Sequence, residues 1–282
     1  MERARPVNLV AQGPAMTSDQ AFDLARIAGS PGFEEISERA FRLRDAKEDA
    51  SIAGWCEARH IDHAWMQEGC KFAALKLLAM DMDSTLITIE CIDELGAMAG
   101  KKPQIAGITG QAMRGEIDYP ESLRRRVALL AGLQASALQR VYDERLRLAQ
   151  GAQTLIDKCR ESAVKLLLVS GGFTFFTERI KSRLGFDYTV SNTLEIADGR
   201  LTGRLLGSIV DAEAKAAKFA SVCEQLKLKK EQTVAIGDGA NDLRMMALAG
   251  TSVAFHAKPV VRAQASCALD WSGLDGVVNL FE

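Results

Sequence analysis

The chain has 282 residues, and its 35 Lys and Arg against 37 Asp and Glu give a net charge of −2 at pH 7. Apolar residues make up 48% and charged residues 26%, which is typical of a globular protein with a sizeable core and excludes a largely disordered chain. This charge gives no electrostatic footprint for nucleic acid, and no apolar run reaches the roughly 20 residues that cross a bilayer. Six cysteines without paired spacing, and a start without an apolar leader, lead us to expect a cytoplasmic protein with neither nucleic acid nor membrane as partner. The sequence leaves the oligomeric state open.

Residues 1–74 are predicted to form a small N-terminal α/β module. A short strand is expected over 7–11, and a helix capped at its start is expected over 17–28. Weak alternation follows over 33–43. A helix is then predicted over 50–67, where Ile52, Cys56, His60 and His63 recur at spacings of four, four and three.

The first strand of the main domain is expected over 75–80, where an apolar run ends in Asp81 and Asp83. Open α/β sheets bind their ligands beyond the carboxyl ends of their strands. Two carboxylates this close repel each other unless a cation or a shared proton intervenes, which favours a hard metal such as Mg²⁺. The alternative is an ordinary Asp/Ser turn, and this stretch alone does not decide between the two.

The next part of the chain, about 90–150, is predicted to be helical without a convincing strand. We expect helices over 94–99, 105–114, 120–131 and 134–150. A helical block inserted between the first strand and the next is typical of a lid over the ligand edge of a sheet.

A second strand, expected over 164–169, ends in Ser170 and Gly171 before a new helix. Glycines let backbone N–H groups approach a ligand, and a helix start adds partial positive charge, so this end suits an anion. The alternative is a tight turn that needs glycine only for its dihedral angles.

A third strand, over 233–236, ends in a cluster that contains Asp238, Asn241 and Asp242. Two acids there could supply the other half of a metal site. Lys215 lies in the first turn of a helix expected over 212–226, where it opposes the helix dipole unless it serves a purpose. A solvated lysine is the commoner outcome.

Acids, a hydroxyl beside glycine amides and a lysine fit phosphoryl transfer at a magnesium site. The chain contains neither a P-loop motif nor a Gly-x-Gly-x-x-Gly motif, which argues against nucleotide and dinucleotide binding. At this point the residues resemble the haloacid dehalogenase-like phosphatases, and more closely their phosphoserine phosphatase branch. The matching segments occur in the family's order: 81–85, Glu90, 113–119, 122–127, 170–174, Lys215 and 237–242.

The resemblance implies a Rossmann-like parallel sheet over 75–282 with a helical cap inserted at about 90–150. It implies Mg²⁺-dependent hydrolysis of O-phospho-L-serine to L-serine through an aspartyl phosphate, the last step of L-serine biosynthesis. The first 74 residues fall where longer relatives carry a module that resembles the ACT fold, and the match is loose.

The resemblance also implies a role for each site residue. Asp81 would be the nucleophile and Asp83 the general acid and base. Mg²⁺ would be held by the side chains of Asp81 and Asp238 and the backbone carbonyl of Asp83, with Asp242 supporting these ligands. Phosphate would be held by four residues: Ser170, Gly171, Lys215 and Asn241.

Residues of the cap would determine which substrate is bound. Glu90 would pair with the ammonium group of the substrate and Arg126 with its carboxylate. Arg124 and Arg125 point elsewhere on the helix, so we interpret them as solvated. Tyr119 stands where many relatives have Phe. The alternatives are a broader phosphomonoesterase or phosphotransferase for other small phosphorylated amino acids, and a non-catalytic binding protein, against which the presence of both Asp81 and Asp83 argues.

Overall fold

The computed structural model describes residues 7–282, and these fall into two compact units. The first unit contains the described residues up to Leu78 together with Gln150–Lys165 and Leu228–Glu282. The second unit contains Ala79–Ala149 and Leu166–Lys227.

The N-terminal part of the first unit is an antiparallel four-stranded sheet with two helices. Its sheet has the strand order β2-β3-β1-β4. The element order β-α-β-β-α-β is that of the ferredoxin-like motif. The elements are β1 (Val7–Gln12), α1 (Ser18–Ile27), β2 (Phe33–Ser37), β3 (Ala40–Leu43), α2 (Ala50–Glu57) and β4 (Asp62–Gln67).

One expectation for this part is wrong. The helix expected over 50–67 ends at Glu57, and β4 begins five residues later. His60 between them has a φ of 56°, in the left-handed region, which stops the helix. β4 then pairs along its whole length with β1, so a partner about 50 residues away decides its conformation.

The larger sheet has seven strands in the order β11-β10-β9-β5-β6-β7-β8. β6 and β7 are parallel, as are β9, β10 and β11, whereas β8 is antiparallel to β7. The strands are β5 (Leu77–Met80), β6 (Lys165–Phe173), β7 (Tyr188–Ala197), β8 (Arg200–Leu206), β9 (Thr233–Gly237), β10 (Thr251–Phe255) and β11 (Cys267–Leu269). The predicted α/β class with a mainly parallel sheet is confirmed.

Helices make up most of the remaining chain. Those of the second unit begin with a block between β5 and β6 that contains α3 to α6. The last predicted helix of that block, over 134–150, is shorter than expected: α6 continues only as a π-helical turn, Val141–Arg145. The helices are α3 (Cys91–Met98), α4 (Lys102–Met113), α5 (Tyr119–Ala128), α6 (Ser136–Arg140), α7 (Ala152–Glu161), α8 (Thr174–Leu184), α9 (Ala212–Gln225), α10 (Leu243–Leu248), α11 (Pro259–Arg262) and α12 (Gly276–Asn279).

The apolar core follows the strands. All four residues of β5 are fully buried, as are the middle residues of β6 and β9. This continuous burial is what a parallel sheet covered on both faces requires, and it explains why these strands read as apolar runs. Within residues 7–282, no helix combines the length and the apolar character needed to cross a membrane.

Candidate active site

Two oppositely charged side chains meet in the interior of the second unit. Asp81 follows the last residue of β5 and is 6% exposed, and Lys215 is fully buried. Lys215 Nζ donates a hydrogen bond to Asp81 Oδ2 over 2.7 Å. Lys215 is therefore not the solvated lysine that the sequence left as the commoner alternative to a role in the site. A buried ammonium needs a charged partner, and Asp81 supplies one.

The start of α9 places Lys215. Asp211 caps this helix by accepting a hydrogen bond from the Ala214 N–H over 2.9 Å. Lys215 lies in the first turn, where the helix dipole disfavours a cation. The pairing with Asp81 offsets that penalty and fixes where the ammonium group points.

Asp83 lies two residues beyond Asp81 and is partly buried. Its Oδ1 accepts from the Cys91 N–H over 2.9 Å, and its Oδ2 lies 3.5 Å from the Ser170 hydroxyl. Burial, followed by the negative charge of Glu90, raises the pKa of Asp83 to about 7, against the opposing effects of the Cys91 hydrogen bonds and Lys215. A carboxyl group with such a pKa can hold a proton near neutral pH and give it up again.

The Ser170–Gly172 segment is the last part of β6, so this strand extends further than the sequence predicted. Ser170 is fully buried, and its Oγ accepts from the Gly172 N–H over 2.8 Å. A Cβ on Gly171 would collide with the Tyr119 hydroxyl, and one on Gly172 would collide with the Asp83 carboxylate. Glycine at both positions therefore leaves the space that this close approach needs.

The two residues expected to select the substrate belong to the helical block between β5 and β6: Glu90 directly precedes α3, and Arg126 lies in α5. Glu90 is exposed, and its Oε1 accepts from the Ser84 hydroxyl over 2.7 Å. Arg126 is half-buried, whereas its neighbours Arg124 and Arg125 are exposed. Arg126 therefore has the more enclosed environment of the three arginines.

The remaining predicted residues belong to the first unit and follow β9. Asp238 and Asn241 are partly buried, and Asp242 is fully buried. Asp242 Oδ2 accepts from the Gly239 N–H over 3.1 Å, which fixes one carboxylate oxygen at the start of α10. This turn presents two carboxylates and one amide, the oxygen ligands that hard cations prefer.

Comparison with known proteins agrees with this geometry. The sequence profile of the haloacid dehalogenase-like hydrolase family matches residues 78–247. A phosphoserine phosphatase of Polaromonas sp. is 54% identical over 215 residues, which cover 74% of this chain and 91% of that protein. The chain belongs to the haloacid dehalogenase-like hydrolase family, in its phosphoserine phosphatase branch.

Solved structures of the family extend the likeness to the fold. The unliganded crystal structure of a probable phosphoserine phosphatase from Vibrio cholerae has a TM-score of 0.85 and 37% identity, covering 98% of this chain and 86% of that one. A phospho-aspartyl intermediate analogue of a phosphoserine phosphatase has a TM-score of 0.69 and 34% identity, covering 74% of this chain and 99% of that one. The predicted family, the predicted fold and the prediction of an enzyme are confirmed.

Two hydrogen bonds to the Gly171 carbonyl are not predicted by the sequence. The Tyr119 hydroxyl donates to the Gly171 carbonyl over 3.2 Å, and the Asn192 side chain donates to the same carbonyl over 2.8 Å. Asn192 could be noticed from sequence only as an asparagine within β7, because asparagine is depleted in strands. The Tyr119 contact depends on the hydroxyl group that distinguishes Tyr119 from the Phe of many relatives.

Proposed function

We propose that this protein hydrolyses O-phospho-L-serine to L-serine and phosphate through an aspartyl phosphate on Asp81. The observation that carries the proposal is the buried pair of Asp81 and Lys215 with Asp83 beside it. The branch to which the chain belongs, and the phospho-aspartyl analogue of one relative, favour the same chemistry.

Asp81 is the proposed nucleophile. A free Asp has a pKa of about 3.9, so its carboxylate is ionised at neutral pH without a separate base. The difficulty is repulsion between this carboxylate and a dianionic phosphate. The Lys215 ammonium, 2.7 Å from Asp81 Oδ2, would offset that repulsion and the charge that develops during transfer.

Asp83 is the proposed general acid and base. Its raised pKa supports proton donation to the departing serine oxygen, followed by removal of a proton from the attacking water. The same residue can serve both steps because the proton given in the first is recovered in the second.

We propose Mg²⁺ as the cofactor. Asp81, Asp238 and Asp242 are carboxylates that could hold a metal ion, and their oxygen atoms fit a hard divalent cation better than a soft one. The side chains of Asp81 and Asp238 and the backbone carbonyl of Asp83 would hold it, and Asp242 would orient these ligands. When bound, the ion supplies positive charge beside the phosphate.

The phosphate would lie against the Ser170 hydroxyl and the Gly171 amide, with Asn241 as a further donor. The close approach that requires glycine at 171 and 172 supports this placement. Glu90 would pair with the substrate ammonium, and Arg126 would form a two-point contact with its carboxylate. These two contacts would select phosphoserine among small phosphate esters.

We also propose the domain organisation, the cellular location and the pathway that the sequence suggests. Residues 1–74 would form an N-terminal module that resembles the ACT fold, and the helical block at about 90–150 would act as the cap. The protein would act in the cytoplasm at the last step of L-serine biosynthesis, without nucleic acid or membrane partners.

Phosphate release from phosphoserine tests the proposal. We expect release with Mg²⁺, its loss on addition of a chelator, and its return when Mg²⁺ is added in excess. Phosphothreonine and sugar phosphates serve as comparison substrates, and added alcohols reveal transfer to acceptors other than water. A higher kcat/KM for a sugar phosphate than for phosphoserine would overturn the substrate assignment.

A further inference from the structure

Strand β6 leaves its regular pairing with β7 at the Ser170–Gly172 segment. Val169 lies opposite Val190, and the next matched pair is Phe173 opposite Asn192. Between these two pairs β6 advances by four residues while β7 advances by two. Such a bulge re-aims the strand and takes its extra residues out of the backbone ladder.

The side chain of Asn192 forms a hydrogen bond with the backbone of this bulge. Asn192 is 2% exposed, and its Nδ2 donates to the Gly171 carbonyl over 2.8 Å. Its Oδ1 accepts from the Val210 N–H, also over 2.8 Å. Only one orientation of the amide satisfies both partners, because one needs a donor and the other an acceptor.

The contact between Asn192 and Gly171 affects the orientation of groups that lie next to Asp83. The peptide unit between Gly171 and Gly172 is planar, so holding its carbonyl also sets the direction of the Gly172 N–H. That N–H donates to Ser170 Oγ over 2.8 Å, and Ser170 Oγ lies 3.5 Å from Asp83 Oδ2. The hydrogen bonds thus form a chain from Asn192 to Asp83 in which each member orients the next.

The contact between Asn192 and Val210 connects Asn192 to the helix that carries Lys215. Val210 directly precedes Asp211, the residue that caps α9. This helix carries the buried Lys215 in its first turn. The Asn192 amide therefore links the segment that starts the lysine helix to the segment that bears Ser170.

We infer that Asn192 is a positioning residue, which fixes the Ser170–Gly172 segment against the start of the Lys215 helix. The inference rests on the proposed function, since it concerns the groups that would bind the transferred phosphate. Asn192 does not contact the reacting atoms in this account. It acts through the Gly171 carbonyl and the Val210 N–H.

Two variants of the full-length protein separate the two contacts. Asn192→Asp has the same shape and keeps an acceptor for Val210, but its carboxylate cannot donate to Gly171. Asn192→Ala removes both contacts without burying a charge, and it remains informative if the aspartate variant fails to fold. Asn8→Asp is the matched control, because Asn8 is also 2% exposed and also donates through Nδ2, to Glu282 Oε1 in the first unit.

The measurements are kcat and KM for phosphoserine, the melting temperature, and exchange of the Gly172 and Val210 amide hydrogens. We expect both Asn192 variants to lose about 10–100-fold in kcat, the range found for residues that orient a reacting group. KM should change much less, because Glu90 and Arg126 would bind the other end of the substrate. The Gly172 amide should exchange roughly fivefold faster in both variants, the equivalent of one lost hydrogen bond, and Val210 should do so only in Asn192→Ala.

The control gives the contrasting result. Asn8→Asp should lower the melting temperature while kcat stays at the wild-type value. If Asn192→Asp or Asn192→Ala instead behaves like the control, with lost stability and unchanged kcat, the positioning role is overturned. If the wild type releases no phosphate from phosphoserine, the proposed function fails, and the amide exchange alone then decides: unchanged Gly172 exchange in both variants overturns the inference.

Discussion

Asp81 and Asp62 are both buried carboxylates, yet their surroundings differ in a way that separates function from structure. Asp62, at the start of β4, accepts hydrogen bonds from three consecutive backbone N–H groups, those of Asp270, Trp271 and Ser272. The Asp270 and Ser272 bonds measure 2.7 and 2.8 Å. Asp81 accepts one backbone hydrogen bond, from the Met82 N–H to Oδ1 over 2.6 Å, and its Oδ2 is paired with the ammonium group of Lys215 over 2.7 Å.

The type of hydrogen-bond donor indicates whether a buried carboxylate serves stability or function. Backbone donors are fixed by the fold, so the Asp62 contacts hold β4 of the N-terminal sheet to the loop that follows β11. A side-chain ammonium is a compact charge that can also serve a negatively charged ligand. We therefore expect changes at Asp81 to act on turnover and changes at Asp62 to act on stability.

The largest effect is expected for Asp81→Asn. The amide is no nucleophile, so turnover should fall by at least ~10⁴-fold, as when a catalytic residue of an enzyme is removed. The amide oxygen can still accept from Lys215, so the far-ultraviolet circular dichroism should remain that of the wild type. Activity within tenfold of the wild type would refute the nucleophile assignment.

Lys215→Met should have the next largest effect. It keeps the length and apolar stem of the side chain but removes the ammonium that pairs with Asp81. We expect kcat to fall by about 10²–10³-fold, the usual consequence of losing one preorganised charge-stabilising donor. Lys218→Met, on the same helix, is the control and should leave kcat unchanged; equal losses in the two variants would contradict the role of Lys215.

Arg126→Lys tests the proposed contact to the substrate carboxylate. Lysine keeps the charge but cannot form the two-point contact, so kcat/KM for phosphoserine should fall by about tenfold, equivalent to ~1.4 kcal/mol. The exposed Arg125, which forms an ion pair with Glu121 over 2.7 Å, provides the control Arg125→Lys. Steady-state kinetics should show no change for that control, and equal losses would remove the assignment of Arg126.

Asp62→Asn should have the smallest effect on activity. One of its two oxygen acceptors becomes a donor that faces backbone N–H groups, so the free energy of unfolding should fall by about 1–3 kcal/mol. Urea denaturation measures this loss, and kcat of the folded protein should equal that of the wild type. A large loss of kcat with unchanged stability would reverse the proposed distinction between the two acids.

The same two regions show what could be predicted from sequence. Asp81, Asp83 and Ser170 were singled out because they lie at or just beyond the ends of apolar runs, a local signal that needs no knowledge of distant contacts, and the family resemblance then suggested their roles. The helix over 50–67 was wrong because β4 is decided by pairing with β1, and no glycine or proline marks the left-handed turn at His60. Local spacing therefore identified candidate residues for the site, and it was insufficient for the conformation of residues 58–67.

Asn192 shows a further limit. Its role depends on the bulge in β6, which leaves the Gly171 carbonyl available to a side chain from the neighbouring strand. A sequence pattern identifies an unusual asparagine within a strand, but it does not state which carbonyl the amide will reach. The buried state of Lys215 was hidden for the same reason, since its partner is 134 residues away.

The central claim is that Asp81 is transiently phosphorylated during turnover. The most direct measurement is to quench the wild-type enzyme during turnover of phosphoserine with Mg²⁺, reduce any acyl phosphate with borohydride, and locate the modified residue by tandem mass spectrometry. The account predicts modification at Asp81 in the wild type and none in Asp81→Asn. Modification at another residue, or an unmodified Asp81 in enzyme that is turning over, would contradict it.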